Sequence, residues 1–155
     1  MNASIPRFLC AVAMVAVIPP TPADASAPGG RYVVTNGGTS SGTVYDTKTR
    51  LTWQQTISSI SYTWADAKTY CAGVGSSLGG TGWRLPTLKE LQTIVDYSQS
   101  NPSIDSTFFP STPGSAFWSS SPLAGSSSDA WYVFFFHGST SNVGVSAMGN
   151  VRCVR

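Results

Sequence analysis

Cysteine placement constrains this chain more than any other feature, because a covalent bridge between distant residues is compatible with few folds. The sequence of 155 residues holds three cysteines, Cys10, Cys71 and Cys153. Cys10 lies near the start of an apolar N-terminal run, and the other two are far apart in the rest of the chain. The fate of Cys10 therefore decides whether Cys71 and Cys153 form a pair.

Residues 1–27 have the three parts of a secretory signal peptide. Residues 1–7 carry one positive charge, residues 8–18 are unbroken apolar sequence, and small residues offer cleavage sites after Ala25 and Ala27. The apolar run is too short to span a bilayer as a helix. We predict that residues 1–27 are removed on export to the periplasm, the cell surface or the medium. A retained N-terminal anchor is the alternative.

Export leaves Cys71 and Cys153, and an even pair in an oxidising compartment favours a disulfide. Lipid attachment at Cys10 is disfavoured, because a lipid-modified cysteine follows the apolar run. The chain has no CxxC pair, and its single histidine, His137, leaves too few ligands for a His/Cys metal site. We therefore predict one disulfide and no cofactor.

The charge balance argues against nucleic acid as a partner. Loss of Arg7 and Asp24 takes nine basic and seven acidic side chains to eight and six, so the net charge stays +2. A nucleic-acid-binding chain would show a dense basic stripe. Charged residues make up only 10% of the chain, which is typical of an exported, loop-rich or β-rich fold. No later apolar run predicts a transmembrane segment in the mature chain.

Two helices are predicted from their first residues. Thr63 with Asp66 and Thr87 with Glu90 have the spacing of capping boxes, and they predict helices over residues 63–72 and 88–97. Pro86 precedes the second cap and holds Leu85 extended, so residues 83–86 are expected to lead into this helix with Trp83 and Leu85 pointing to the same side.

Strands are predicted on both sides of the helices. Residues 28–42 form a leader with the first strand, and residues 43–155 form the main domain. Residues 130–136 are apolar on both faces and are therefore expected to be central in a sheet. A last hairpin is predicted from residues 143–147 and 151–155. The order of elements indicates an α+β fold in which two helices pack on short antiparallel strands. The predicted strands cover residues 31–35, 43–45, 51–54, 116–120, 130–136, 143–147 and 151–155.

Five motifs follow one another in the sequence: DTKTRLTWQ, TWADAKTYC, GWRLPTLKEL, FWSSS and VRCVR. Together they resemble the DUF1566 family, also called the Lcl C-terminal domain family, over residues 44–155. The resemblance implies a C-type-lectin-like fold, related in shape to that of formylglycine-generating enzymes. One bacterial member of the family is associated with binding sulfated glycosaminoglycans. This chain departs from the family at Arg50, where Gly is frequent, and it lacks the collagen-like Gly-X-Y region of the trimeric adhesins.

The resemblance and the positive charge predict a non-catalytic binding module for acidic or sulfated glycans. The candidate contacts are Arg84, Lys89, Arg152 and Arg155. Arg84 has a structural alternative, since a guanidinium also binds backbone carbonyls. Two other functions stay open: a module that recognises a surface protein, and an enzyme of the formylglycine-generating type. Catalysis is disfavoured because the carboxylates do not cluster in sequence and both mature cysteines are assigned to the bridge.

Aromatic residues offer a second kind of glycan contact. The candidates for stacking on sugar rings are Trp53, Trp118, Trp131 and Tyr132, although aromatic residues within strands are usually core. The calcium-ligating Glu-Pro-Asn and Trp-Asn-Asp triplets of C-type lectins are missing.

Overall fold

Two antiparallel three-stranded sheets and three short helices form the part of the chain that the computed structural model describes, residues 29–35 and 42–155. The strand orders are β1-β2-β3 and β4-β5-β6, and the arrangement confirms the predicted α+β class. The predicted signal peptide lies outside the described residues. In chain order the elements are β1 (Tyr32–Thr35), β2 (Thr43–Asp46), β3 (Leu51–Gln54), α1 (Trp64–Gly73), α2 (Gly75–Leu78), α3 (Leu88–Gln92), β4 (Ala116–Pro122), β5 (Asp129–Phe134) and β6 (Ser139–Gly144).

Both predicted helix starts are confirmed. The Thr63 hydroxyl accepts a hydrogen bond from the Asp66 amide at 3.3 Å, and Thr87 with Glu90 forms a complete capping box. No helix in the described ranges combines the length and apolarity that crossing a bilayer requires.

The second predicted helix is shorter than its apolar pattern indicates. α3 ends at Gln92, and the amides of Ile94 and Val95 then bond to carbonyls three residues back. Ile94 is nevertheless buried. A tight turn can bury this side chain just as a helix would. The helix predicted from the apolar pattern was therefore too long.

The predicted last hairpin is wrong. Val143 pairs with Ala130 inside β6, and the chain then leaves that sheet. Residues 149–155, here called the closing segment, pair instead with distant parts of the chain. The bridges are Gly149 with Tyr62, Asn150 with Phe117, and Val154 with both Trp53 and Arg84. The strand predicted over residues 151–155 is not formed, since the segment makes only isolated bridges, and its alternation carries no information about which neighbours these bridges join.

The closing segment contributes to both apolar clusters of the core. Val154 belongs to the first cluster, together with Trp53 and residues from both sheets. Val151 and Cys153 belong to the second, together with the buried Trp83 and Leu85 that precede α3. β5 is the central strand of its sheet, as its apolar sequence predicts.

A disulfide joins Cys71 on α1 to Cys153 in the closing segment, as predicted. The two Cα atoms are 5.3 Å apart and the bridged residues are separated by 82 positions. Both cysteines are fully buried. The bridge therefore fixes the helix against the segment that joins the two sheets.

Removing this bridge should destabilise the fold strongly. Closing a loop of this length restricts the unfolded chain, and the loop-entropy argument gives about 4–5 kcal/mol. We expect the double variant Cys71→Ala/Cys153→Ala to lose about that much free energy of unfolding, relative to the disulfide-bonded wild type, in urea titrations. Two thiols that react with a labelling reagent in the native wild-type protein would contradict the bridge.

The turn between β2 and β3 generates a second prediction. Arg50 has a φ of +61°, in the left-handed region where side chains are strained, and its amide bonds to the Asp46 carbonyl at 2.7 Å. This is the position at which Gly is frequent in the family that the sequence resembles. Arg50→Gly should therefore raise the free energy of unfolding by up to about 1 kcal/mol, strain relief exceeding the entropic cost of Gly.

Thr49→Gly is the matched control in the same turn. Thr49 is not among the residues with positive φ, so Gly there relieves no strain; it adds flexibility, removes the hydroxyl that accepts from the Leu51 amide at 3.4 Å, and should lower stability. Urea titration of both variants makes the comparison, and an Arg50→Gly variant no more stable than Thr49→Gly would refute the strain at Arg50.

Candidate functional site

The four predicted cationic contacts do not form one patch. Arg84, Lys89 and Arg155 are exposed, whereas Arg152 has no exposed surface. Arg152 is therefore not part of a binding surface. The remaining three have different neighbours.

Arg152 is a structural cation inside the core. Its guanidinium donates to the carbonyls of Gln54 and Gln55 and to the Thr112 hydroxyl, each at 2.6 Å. It also lies over the Phe109 ring at 4.8 Å. Within the described residues no carboxylate pairs with it, and burial lowers the pKa of Arg152. The side chain thus satisfies carbonyls at the end of β3 and is out of reach of a ligand.

Arg84 is held by an acidic partner. Its guanidinium donates to both carboxylate oxygens of Glu90, each at 2.7 Å, and the same carboxylate accepts from the Thr87 amide at 2.8 Å. These contacts lower the pKa of Glu90 to about 2, with the Arg84 hydrogen bond as the main cause. The pair fixes the start of α3 and largely neutralises Arg84. Lys89, next to Glu90, stays exposed.

Arg155 is the most preorganised exposed cation of the predicted set. Its guanidinium lies over the Trp83 ring, 5.5 Å from the centroid. A Cβ atom at Gly80 would lie within clashing distance of the same guanidinium, so the close approach depends on glycine there. The ion pairs of the described chain are Arg31–Asp46 and Arg84–Glu90, and neither involves Arg155.

Arg84 and Arg155 face different ways. Arg84 bridges to Val154, and Arg155 is the next residue along that extended segment. Successive side chains of an extended segment point to opposite sides, which separates the two guanidinium groups. Both residues lie at or next to the Arg84–Val154 bridge, but their guanidinium groups do not form a single anion site.

An open groove runs along one side of α1, a feature that the sequence analysis missed. One half has a volume of about 500 Å³ and includes Tyr62, Asp66, Thr69 and Tyr70. Thr69 and Tyr70 also line the second half, of about 350 Å³, which reaches Ser77 on α2. The spacing of residues 66, 69, 70 and 73 places them on one helix face, and this polar, aromatic face was the available signal.

The other candidate side chains are buried, half-buried or packed against neighbouring rings. Trp53 and Trp118 are buried, while Trp131 and Tyr132 are half-buried on β5. His137 is exposed and packs against the rings of Phe134 and Phe136. Within residues 29–35 and 42–155, no three His, Cys, Asp or Glu side chains are grouped closely enough to hold a metal ion.

The chain matches a known protein family. A family model described as the Lcl C-terminal domain matches residues 42–155, nearly all of the described chain. No curated protein has a significantly similar sequence.

The role assigned to Arg152 can be tested by substitution. Arg152→Ala removes the donors to two buried carbonyls and leaves a cavity, and we expect a loss of about 3–5 kcal/mol in the free energy of unfolding. Arg155→Ala, at an exposed position, should cost about 1 kcal/mol or less. Urea denaturation measures both, and equal losses at the two positions would disprove the structural role of Arg152.

Proposed function

The chain belongs to the Lcl C-terminal domain family, and from this premise we propose that it is an exported, non-catalytic binding module for acidic or sulfated glycans. The observation that carries the proposal is the placement of Arg155. Its guanidinium is exposed, lies against Trp83 and Gly80, and has no carboxylate partner among the ion pairs of the described chain. Lys89 is a secondary contact: it is exposed as well, but it lies on α3.

The chemistry of the guanidinium suits a sulfate or a carboxylate. Arginine presents a planar set of donors that matches these anions and is always charged. A side chain already held against an aromatic ring loses less conformational freedom when it binds. A single exposed ionic contact contributes about 1 kcal/mol or less, so useful affinity requires a polyanion that offers several charges.

We also propose that the protein is exported and that its α+β fold is of the C-type-lectin-like kind. The signal-like sequence of residues 1–27 and the Cys71–Cys153 bridge support export to an oxidising compartment, the periplasm or the cell surface. A disulfide from the first long helix to the closing segment also supports a C-type-lectin-like arrangement within the α+β class.

A charge-matched pair of variants tests the glycan proposal. Arg155→Gln and Lys48→Gln each remove one exposed positive charge, but Lys48 lies in the β2–β3 turn. With a heparin oligosaccharide as probe, we expect Arg155→Gln to weaken binding about fivefold and Lys48→Gln to change it little. Calorimetric titration at low salt, repeated at about 0.3 M salt, should show the affinity falling as charges are screened.

Two results would overturn the proposal. One is the absence of heparin binding by the wild-type protein at low salt. The other is equal weakening by Arg155→Gln and Lys48→Gln, which would reduce the interaction to unspecific attraction by net charge.

A further inference from the structure

The groove beside α1 differs in chemistry from the surface around Arg155. Its first half is lined by Ile60, Ser61, Tyr62, Asp66, Thr69 and Tyr70, a mixture of two aromatic rings, hydroxyl groups and one carboxylate. From this lining we propose that the groove is a binding site for a neutral polysaccharide chain. This site is independent of the acidic-glycan function proposed above.

The two tyrosines form a fixed aromatic surface. Their rings stack with centroids 4.8 Å apart and planes 28° from parallel. The Tyr62 hydroxyl is 2.9 Å from the Ser58 hydroxyl, and the Gln54 side-chain amide donates to the Tyr70 hydroxyl at 3.0 Å. The same Gln54 side chain accepts from the amide of the disulfide-bonded Cys153 at 3.1 Å. Rings anchored to the core in this way need little reordering when a ligand packs on them.

Hydrogen-bonding capacity remains at the rings and beside them. The Tyr70 oxygen accepts from Gln54, so its own hydrogen is available for another acceptor. The Asp66 carboxylate accepts from the Thr63 hydroxyl at 2.7 Å and keeps further lone pairs. Sugar hydroxyls both donate and accept, and the C–H faces of a sugar ring are apolar. A saccharide therefore satisfies the aromatic and the polar parts of this lining together.

The charge of the lining argues for a neutral chain. Among the described side chains that line the groove, Asp66 carries the only charge, and it would repel a sulfate or a carboxylate. The surface around Arg155 has the opposite sign. The two surfaces therefore select different classes of glycan.

The backbone around the groove argues against an extended peptide. The amide and carbonyl of Tyr62 are already bonded to Gly149, each at 2.9 Å. The adjoining backbone of α1 bonds within its helix, so no free strand edge faces the groove for a peptide to extend. The two halves, which share Thr69 and Tyr70, instead offer a shallow, open surface on which neighbouring sugar units can pack.

Ligand-observed NMR of the disulfide-bonded protein tests the proposal. The probes are neutral hexasaccharides: α-1,4-, β-1,4- and β-1,3-linked glucose, and β-1,4-linked N-acetylglucosamine, each at about 1 mM. We expect at least one to bind with an affinity that does not change with salt. Tyr70→Phe removes the hydroxyl, and with it the acceptor of the Gln54 side-chain amide, and should weaken that binding about fivefold. Thr69→Leu puts a bulkier apolar side chain at an exposed helix position that both halves share, and it should weaken binding about threefold.

Matched controls keep the result specific. Tyr45→Phe removes a hydroxyl from a half-buried tyrosine on β2, outside the groove, and Lys48→Gln removes an exposed charge in the β2–β3 turn; both should leave saccharide binding unchanged. Thermal melts check that each variant is folded. The proposal is overturned if no probe binds, if Tyr70→Phe and Thr69→Leu bind as the wild type does, or if neutral extended peptides bind the groove in place of saccharides.

Discussion

The rest of the structure depends on the pairing of the closing segment with distant stretches of the chain. Val154 lies between Trp53 and Arg84, Asn150 bridges to Phe117, and Cys153 is bonded to Cys71. Without these contacts the sheet of β1 to β3 and the sheet of β4 to β6 would be joined by far fewer backbone bridges. One extended segment thus joins two sheets and a helix, and it supplies side chains to both apolar clusters.

Local features were predictable because their causes lie within a few residues. A capping box needs only a threonine and an acidic residue three positions later, and both helix starts follow from that spacing. The apolar sequence of β5 likewise revealed its central place. The partner of the closing segment was not predictable, since alternation specifies an extended backbone but leaves its neighbours open. Of these distant contacts, only the one between Cys71 and Cys153 was predicted, because a disulfide was expected there.

Arg152 shows the same limit at a single residue. Alternation along a strand predicts that Arg152 and Val154 point outwards if Val151 and Cys153 point inwards. In the structure all four are buried, because the segment has a core cluster on each side. A charged side chain in such a segment must find acceptors inside the protein, and the carbonyls of Gln54 and Gln55 provide them. Arg155, one residue beyond the buried stretch, is the cation that reaches the surface.

The position of the closing segment in the sequence has a consequence for biogenesis. Residues 149–155 leave the ribosome after all the other described residues, because a chain emerges from its N-terminus. Until then Trp53 and Arg84 lack their shared partner, and Cys71 has no thiol to join among the described residues that precede the segment. The two sheets therefore cannot lock together before the closing segment has emerged. Until that point the described part of the chain lacks the contacts that join its two sheets, and it becomes rigid only once the segment has paired.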